Sequence, residues 1–260
     1  MRDIINPKRY QHLITEAQEA HFSGWDFSWL NDRMIQEAPP WDYAAIVQSH
    51  FSRAHTMLDM GTGGGELLAS LAPLPAETHA TETFPPNQPL AEARLAPLNV
   101  FVHKIQENDP LPFDDDYFDL VINRHDSFDA AQVYRILKQG GHFITQQVGG
   151  LDNLELNQVL QDSIDFPSIT FNPTQALTEL YDAGFSIQRA EQAALKTIFM
   201  DIGAVVYYLK AIPWQIPNFS PETQTGGLIK IHNLIERQGQ FTTTAHRFLV
   251  IACKAMGFKE

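Results

Sequence analysis

The residues best suited to chemistry lie in one short stretch, Asp59-Met60-Gly61-Thr62-Gly63-Gly64-Gly65. It follows the apolar run Thr56-Met57-Leu58 and precedes a helix-like segment from Glu66 to Leu71. Glycines at a strand-to-helix junction let the backbone turn sharply and let a ligand approach without meeting a Cβ. A dinucleotide turn spaces them Gly-x-Gly-x-x-Gly and seats a pyrophosphate on the helix N-terminus. Here the third glycine of that spacing would be Glu66. Asp59 and Glu66 would also bring two carboxylates to the pyrophosphate, so a ligand carrying positive charge fits this turn better. S-adenosylmethionine, with its ammonium and sulfonium, is such a ligand; an oxidoreductase built on NAD ranks last.

A second segment points the same way. Leu111-Pro112-Phe113 runs through Asp114-Asp115-Asp116-Tyr117 into the apolar Phe118-Asp119-Leu120-Val121. Together with Asp59-x-Gly61-x-Gly63-x-Gly65, it resembles the class I S-adenosylmethionine-dependent methyltransferases over roughly residues 54–193 and 248–254. The resemblance implies that Asp59, Gly61, Thr62, Gly63 and Gly65 hold the methionine and ribose portion of S-adenosylmethionine. It implies that Glu82, closing the next strand, accepts hydrogen bonds from the ribose hydroxyls. Gln106 or Glu107 would meet the adenine amino group; the Gly-Asp pair common before this segment is missing, which leaves the two unseparated. Backbone atoms near Asn123 would contact the methionine amino group. The product would be S-adenosylhomocysteine.

Methyl transfer would take place beside Asn123-Arg124-His125-Asp126-Ser127-Phe128, the end of the fourth strand. His125 suits a general base by its ordinary pKa, or a structural hydrogen bond beneath the cofactor. Arg124 suits a clamp on an acidic acceptor, or an ion pair with one of the many carboxylates. Asp114 to Asp116 read as a solvated turn, and His232 and His246 are isolated, so no metal site is expected. Cys253 is the single cysteine, within Phe248-Leu249-Val250-Ile251-Ala252-Cys253, and reads as a packed thiol.

Charge narrows the acceptor. Lys and Arg number 18 against 31 Asp and Glu, a net charge of −13. Nucleic-acid affinity comes chiefly from cationic side chains neutralising phosphates, so a polyanion is disfavoured. The Asn-Pro-Pro-Tyr type of segment and zinc-knuckle cysteines of some nucleic-acid methyltransferases are missing as well. The expected acceptor is therefore an O or N atom of a small molecule, with RNA methylation and non-catalytic binding of S-adenosylmethionine as alternatives.

These residues must be held by an α/β scaffold. Strand-like segments at Thr56–Asp59, Thr78–Glu82, Val100–His103, Phe118–Asn123, His142–Val148, Phe185–Arg189 and Phe248–Lys254 alternate with helix-like ones. The pattern predicts a doubly wound, mostly parallel, seven-stranded sheet with helices on both faces. Ala130 to Leu137 reads as a helix stopped by Gly140-Gly141. Residues 1–53 read as an N-terminal helical and aromatic extension, with Gly24-Trp25-Asp26-Phe27 as a possible lid. Residues 54–193 read as the cofactor-binding core, 194–247 as an insertion before the last strand and 248–260 as the closing strand. Phe199, Tyr207, Tyr208, Trp214 and Phe219 of the insertion would form either an acceptor pocket or a core-covering helix. No apolar stretch reaches the ~18 residues of a membrane span, and no signal-peptide pattern opens the chain, so a cytoplasmic protein is expected.

Overall fold

The computed structural model describes residues 4–23, 25–106, 109–161 and 170–255. The chain divides into two compact units, one of residues 1–39, 149–170 and 194–246, the other of 40–148, 171–193 and 247–260. Residues 40–53 thus group with the predicted core, and 149–170 with the residues of the predicted extension and insertion.

The second unit carries β2 (Thr56–Met60), β3 (Glu77–Glu82), β4 (Phe101–Lys104), β5 (Phe118–Arg124) and β6 (Leu137–Val148). It also takes part of β7 (Phe185–Phe199) and of β8 (Phe241–Lys254). Its strand order is β7-β8-β6-β5-β2-β3-β4. Strands β2 to β6 pair in parallel, while β8 runs antiparallel to β6. Side chains alternate across a strand, and the apolar ones divide accordingly into two clusters. Met57, Leu120, Ile122, Ile144, Leu249 and Ile251 join one, with Trp41 and Tyr43. Leu58, Met60, Val121, Phe143, Phe248 and Val250 join the other, with Ala176 and Leu180 of α7 (Pro173–Asp182). Both faces being covered explains the nearly continuous apolar runs of these strands.

One punctuation signal has a different cause from the expected one. The helix α5 (Ala130–Ile136) ends before Leu137, and Gly140-Gly141 lies inside β6. The β5–β6 register shifts between Phe118 and Leu120, with Leu120 opposite His142, and Gly140 has φ of +81°. The glycines therefore serve a bulge in the strand rather than a helix cap.

The first unit is built on α1 (Pro7–Glu19), α6 (Leu154–Leu160), α8 (Ile202–Ala211) and α9 (Thr225–Gln238), with one apolar cluster. Helix α8 is buried on nearly every side, as its apolar sequence requires. Phe199, Tyr207 and Tyr208 belong to this core, whereas Trp214 is exposed. The core-covering reading of that segment therefore holds for these three aromatics. A short β1 (Met34–Gln36) pairs antiparallel with the end of β7, Met34 opposite Phe199, giving eight strands in place of the expected seven. No helix among the described residues is long and apolar enough to cross a membrane.

Candidate active site

Strand β2 runs straight into the glycine turn, and β3 beside it pins the turn down. Thr62 N donates to Thr81 O at 2.9 Å, and Gly65 N to Thr62 O at 3.0 Å. Gly61, Gly63 and Gly65 have φ of +66°, +63° and +81°. This is the left-handed region, which costs a residue with a side chain roughly 1–2 kcal/mol.

Three carboxylates converge on this turn. Asp59, 3% exposed at the end of β2, has its carboxyl pushed up to about 7. Burial is the main cause; the charges of Asp126 and Glu82 add to it, while Thr62 and Arg124 act against it. Glu82 closes β3, also buried and also raised by burial, against hydrogen bonds from the backbone N–H groups of Phe84, Gly63 and Thr83. The Phe84 bond is 2.7 Å long. A Cβ placed on Gly61 would lie 2.2 Å from Asp126 Oδ2, so the Asp126 carboxylate rests directly on that glycine. Such a cluster disfavours an anion and favours a cation.

Strand β5 ends beside the turn, with Asn123 opposite Met60. Asn123 is fully buried, and its Oδ1 accepts from Thr145 Oγ1 at 3.0 Å and Gln147 Nε2 at 2.5 Å. Its Nδ2 is buried with no hydrogen-bond partner among the described residues. An orphaned buried donor costs free energy unless something completes it. Tyr43 OH donates to Asn123 O at 3.1 Å.

His125 follows with φ of +64°, an unusual backbone for a histidine. Trp41 Nε1, which can only donate, donates to Gln146 Oε1 at 2.8 Å. The Gln146 amide is thereby oriented with its N–H₂ toward His125 Nε2, 3.0 Å away. That nitrogen must accept, which places the ring proton on Nδ1. Desolvation and the charges of Arg247 and Arg124 push the His125 pKa well below its ordinary value, so the ring is neutral near pH 7. His125 and Arg124 still expose surface to water.

Residues 58–145 match the family model of a methyltransferase domain. This segment is a class I methyltransferase domain. Solved structures agree on the fold. A putative methyltransferase from Bacillus halodurans is 16% identical at a TM-score of 0.60, covering 82% of this chain and 99% of that one. A geranyl diphosphate methyltransferase in complex with SAM is 14% identical at 0.50, covering 82% and 84%. The [4+2]-cyclase SpnF is 16% identical at 0.53, covering 94% and 93%. No curated protein matches the sequence.

Within the methyltransferase domain, Asp59, Gly61, Thr62, Gly63, Gly65, Glu82, Asn123, Arg124 and His125 all fall at the carboxyl ends of β2, β3 and β5. Gln106 is exposed just beyond β4, and Glu107 lies outside the described residues. Asp115 and Asp116 of the acidic turn pair with Arg135 and Lys254. The sequence did not mark Asp126 as part of this acidic cluster, nor Trp41 and Tyr43 as residues of the site. The step from β5 into a tight turn hinted at Asp126. Nothing local hinted that Trp41 and Tyr43, far upstream, hydrogen-bond to the ends of β5 and β6.

Proposed function

We propose that the methyltransferase domain binds S-adenosylmethionine along its glycine turn and passes the methyl group to an oxygen or nitrogen of a small molecule. The convergence of Asp59, Glu82 and Asp126 on Gly61 to Gly65 carries this reading, because an ammonium and a sulfonium offset a carboxylate cluster that a pyrophosphate would aggravate. S-adenosylmethionine supplies a methyl group already activated by its sulfonium. Asp59 and Asp126 hold its cationic methionine end, Glu82 accepts from ribose hydroxyls, and backbone atoms near Asn123 meet the methionine amino group. Gln106 or Glu107 remains the proposed adenine contact. Arg124 and His125 face the acceptor.

His125 orients rather than removes a proton, since its Nε2 lone pair is engaged by Gln146. Alignment of the acceptor then does most of the work, and proximity with orientation can lower a barrier by up to ~7–11 kcal/mol. The net charge of −13 supports a small molecule over RNA.

Calorimetry with S-adenosylmethionine, S-adenosylhomocysteine and NAD tests the cofactor. Labelled methyl donor supplied to small-molecule and RNA extracts tests the acceptor. Binding of the two sulfur ligands and a labelled small molecule are expected. Binding of NAD alone would overturn the cofactor, methylated RNA alone the acceptor class, and sulfur-ligand binding with no labelled product the catalytic reading.

A further inference from the structure

Strand register brings together three polar side chains that are far apart in the chain. Arg124 of β5 stands opposite Gln146 of β6, and Gln146 opposite Leu249 of β8. Arg124 is two residues beyond Ile122, Gln146 two beyond Ile144, and Arg247 two before Leu249. Ile122, Ile144 and Leu249 share one apolar cluster, so the period of two puts Arg124, Gln146 and Arg247 on that same sheet face, at its carboxyl edge. Trp41 and Tyr43 belong to the same cluster, and Trp41 fixes the Gln146 amide.

The Arg124 side chain makes no hydrogen bond or ion pair with another described residue; it keeps surface open to water while neighbouring protein partly desolvates its guanidinium. Tyr43 and Asp59 favour its charged form, while the charge of Arg247 acts against it and against a charged His125. Strands lie about 4.8 Å apart, and two spacings separate β2 from β6, so this patch is centred about 10 Å from the end of β2 that carries the glycine turn. The methionine end of a cofactor at that turn faces Asp59 and Asp126 instead.

We propose that Arg124, beside Gln146 on this sheet face, anchors an anionic oxygen group of the methyl acceptor, a carboxylate or a phosphate ester. A planar guanidinium fork matches either group with two parallel hydrogen bonds. The acceptor class is then a small organic acid carrying its nucleophilic O or N apart from the anchored group. This inference rests on the methyl-transfer reading.

The test uses the whole protein loaded with S-adenosylhomocysteine. It is titrated with a panel of hydroxy- and aminobenzoates, the matching phenyl phosphates and the matching neutral benzamides. Benzoates or phenyl phosphates are expected to bind roughly 10–100-fold more tightly than the benzamides, the range of a charged hydrogen bond gained. Which anion series binds identifies the group. Arg124→Gln is expected to remove that preference, and Arg124→Lys to restore part of it, with S-adenosylhomocysteine affinity changed less than about threefold. Equal binding of anions and amides by the native protein would overturn the proposal, as would an anion preference untouched in Arg124→Gln. If Arg124→Gln instead loses S-adenosylhomocysteine affinity more than tenfold while keeping its melting temperature, the arginine serves the cofactor's own carboxylate, and the proposal fails while methyl transfer stands. Failure of the native protein to bind S-adenosylhomocysteine removes both.

Discussion

Lowering the pH from 8 to 6 should weaken cofactor binding through a single carboxyl group. Asp59 has its carboxyl pushed up to about 7 by burial and by the charges of Asp126 and Glu82. At pH 6 roughly nine tenths of the ligand-free protein then carries a proton there, and at pH 8 roughly one tenth. A cation seated on the turn favours the carboxylate, so binding at pH 6 must expel that proton. Affinity for S-adenosylhomocysteine is expected to be about tenfold weaker at pH 6 than at pH 8, with ~0.9 proton released per ligand at pH 6 and ~0.1 at pH 8. Calorimetry in two buffers of different ionisation enthalpy reads the proton count directly. Asp59→Asn should bind weakly with a flat profile, and the comparison cancels titration of the ligand itself. The same shift acts on stability with a definite sign. A carboxyl whose folded pKa exceeds its ordinary value of 3.8 costs the ligand-free fold nothing below about pH 4 and progressively more as pH rises through 7. About three pKa units at 1.36 kcal/mol each give about 4 kcal/mol at pH 8. Asp59→Asn should therefore raise the melting temperature of the ligand-free protein at pH 8 by several degrees while impairing binding. Equal affinity at both pH values with no proton release at pH 6 would refute the reasoning.

Three further outcomes are expected. Gly61→Ala puts a Cβ 2.2 Å from Asp126 Oδ2 at a φ of +66°, so S-adenosylhomocysteine affinity should fall at least about tenfold, with partial recovery in Gly61→Ala/Asp126→Ala. The His125 ring, neutral and engaged by Gln146, should keep constant NMR shifts from pH 8 to pH 6; a midpoint near its ordinary 6.5 would contradict this. In the first unit, Asp201 accepts from Arg33 at 2.8 Å on both oxygens and caps α8 through Ala204 N at 2.9 Å. Asp201→Ala should cost about 2 kcal/mol in denaturant unfolding, since it removes a helix cap and leaves Arg33 with Glu16 as its remaining ion partner.

What could be read from the chain depended on how local each signal was. The glycine turn announces itself because three left-handed residues within five positions demand glycine, and the alternating strands of β2 to β6 follow from apolar runs that both sheet faces bury. Gly140-Gly141 misled because a glycine pair after a helix and one at a strand bulge look alike until the register against β5 is known. The aromatics of α8 were ambiguous for a similar reason. Composition says that Tyr207 and Tyr208 will pack, and only the fold says that they pack within the first unit's core rather than around a ligand.

The residues least visible in sequence are those whose meaning comes from strand order. Asp59, Glu82 and Asp126 gather over β2, β3 and the turn after β5, while Arg124 and Arg247 lie toward β6 and β8 on the face that Asp59 also occupies. A chain with 31 acidic and 18 basic side chains would, with random placement, surround any arginine with acids. Arg124 instead makes no ion pair at contact distance with another described residue, although the Asp59 charge acts on it. The Asp59 and Arg124 charges still bear on each other, Arg124 lowering the Asp59 pKa and Asp59 raising that of Arg124. Arg124→Gln should therefore push the Asp59 pKa further up and shift the pH dependence of S-adenosylhomocysteine affinity with it, an effect absent once Asp59 is Asn, so the two substitutions should be non-additive in a double-mutant cycle at pH 7. Strict additivity at pH 7 would mean that the Arg124 charge does not reach Asp59.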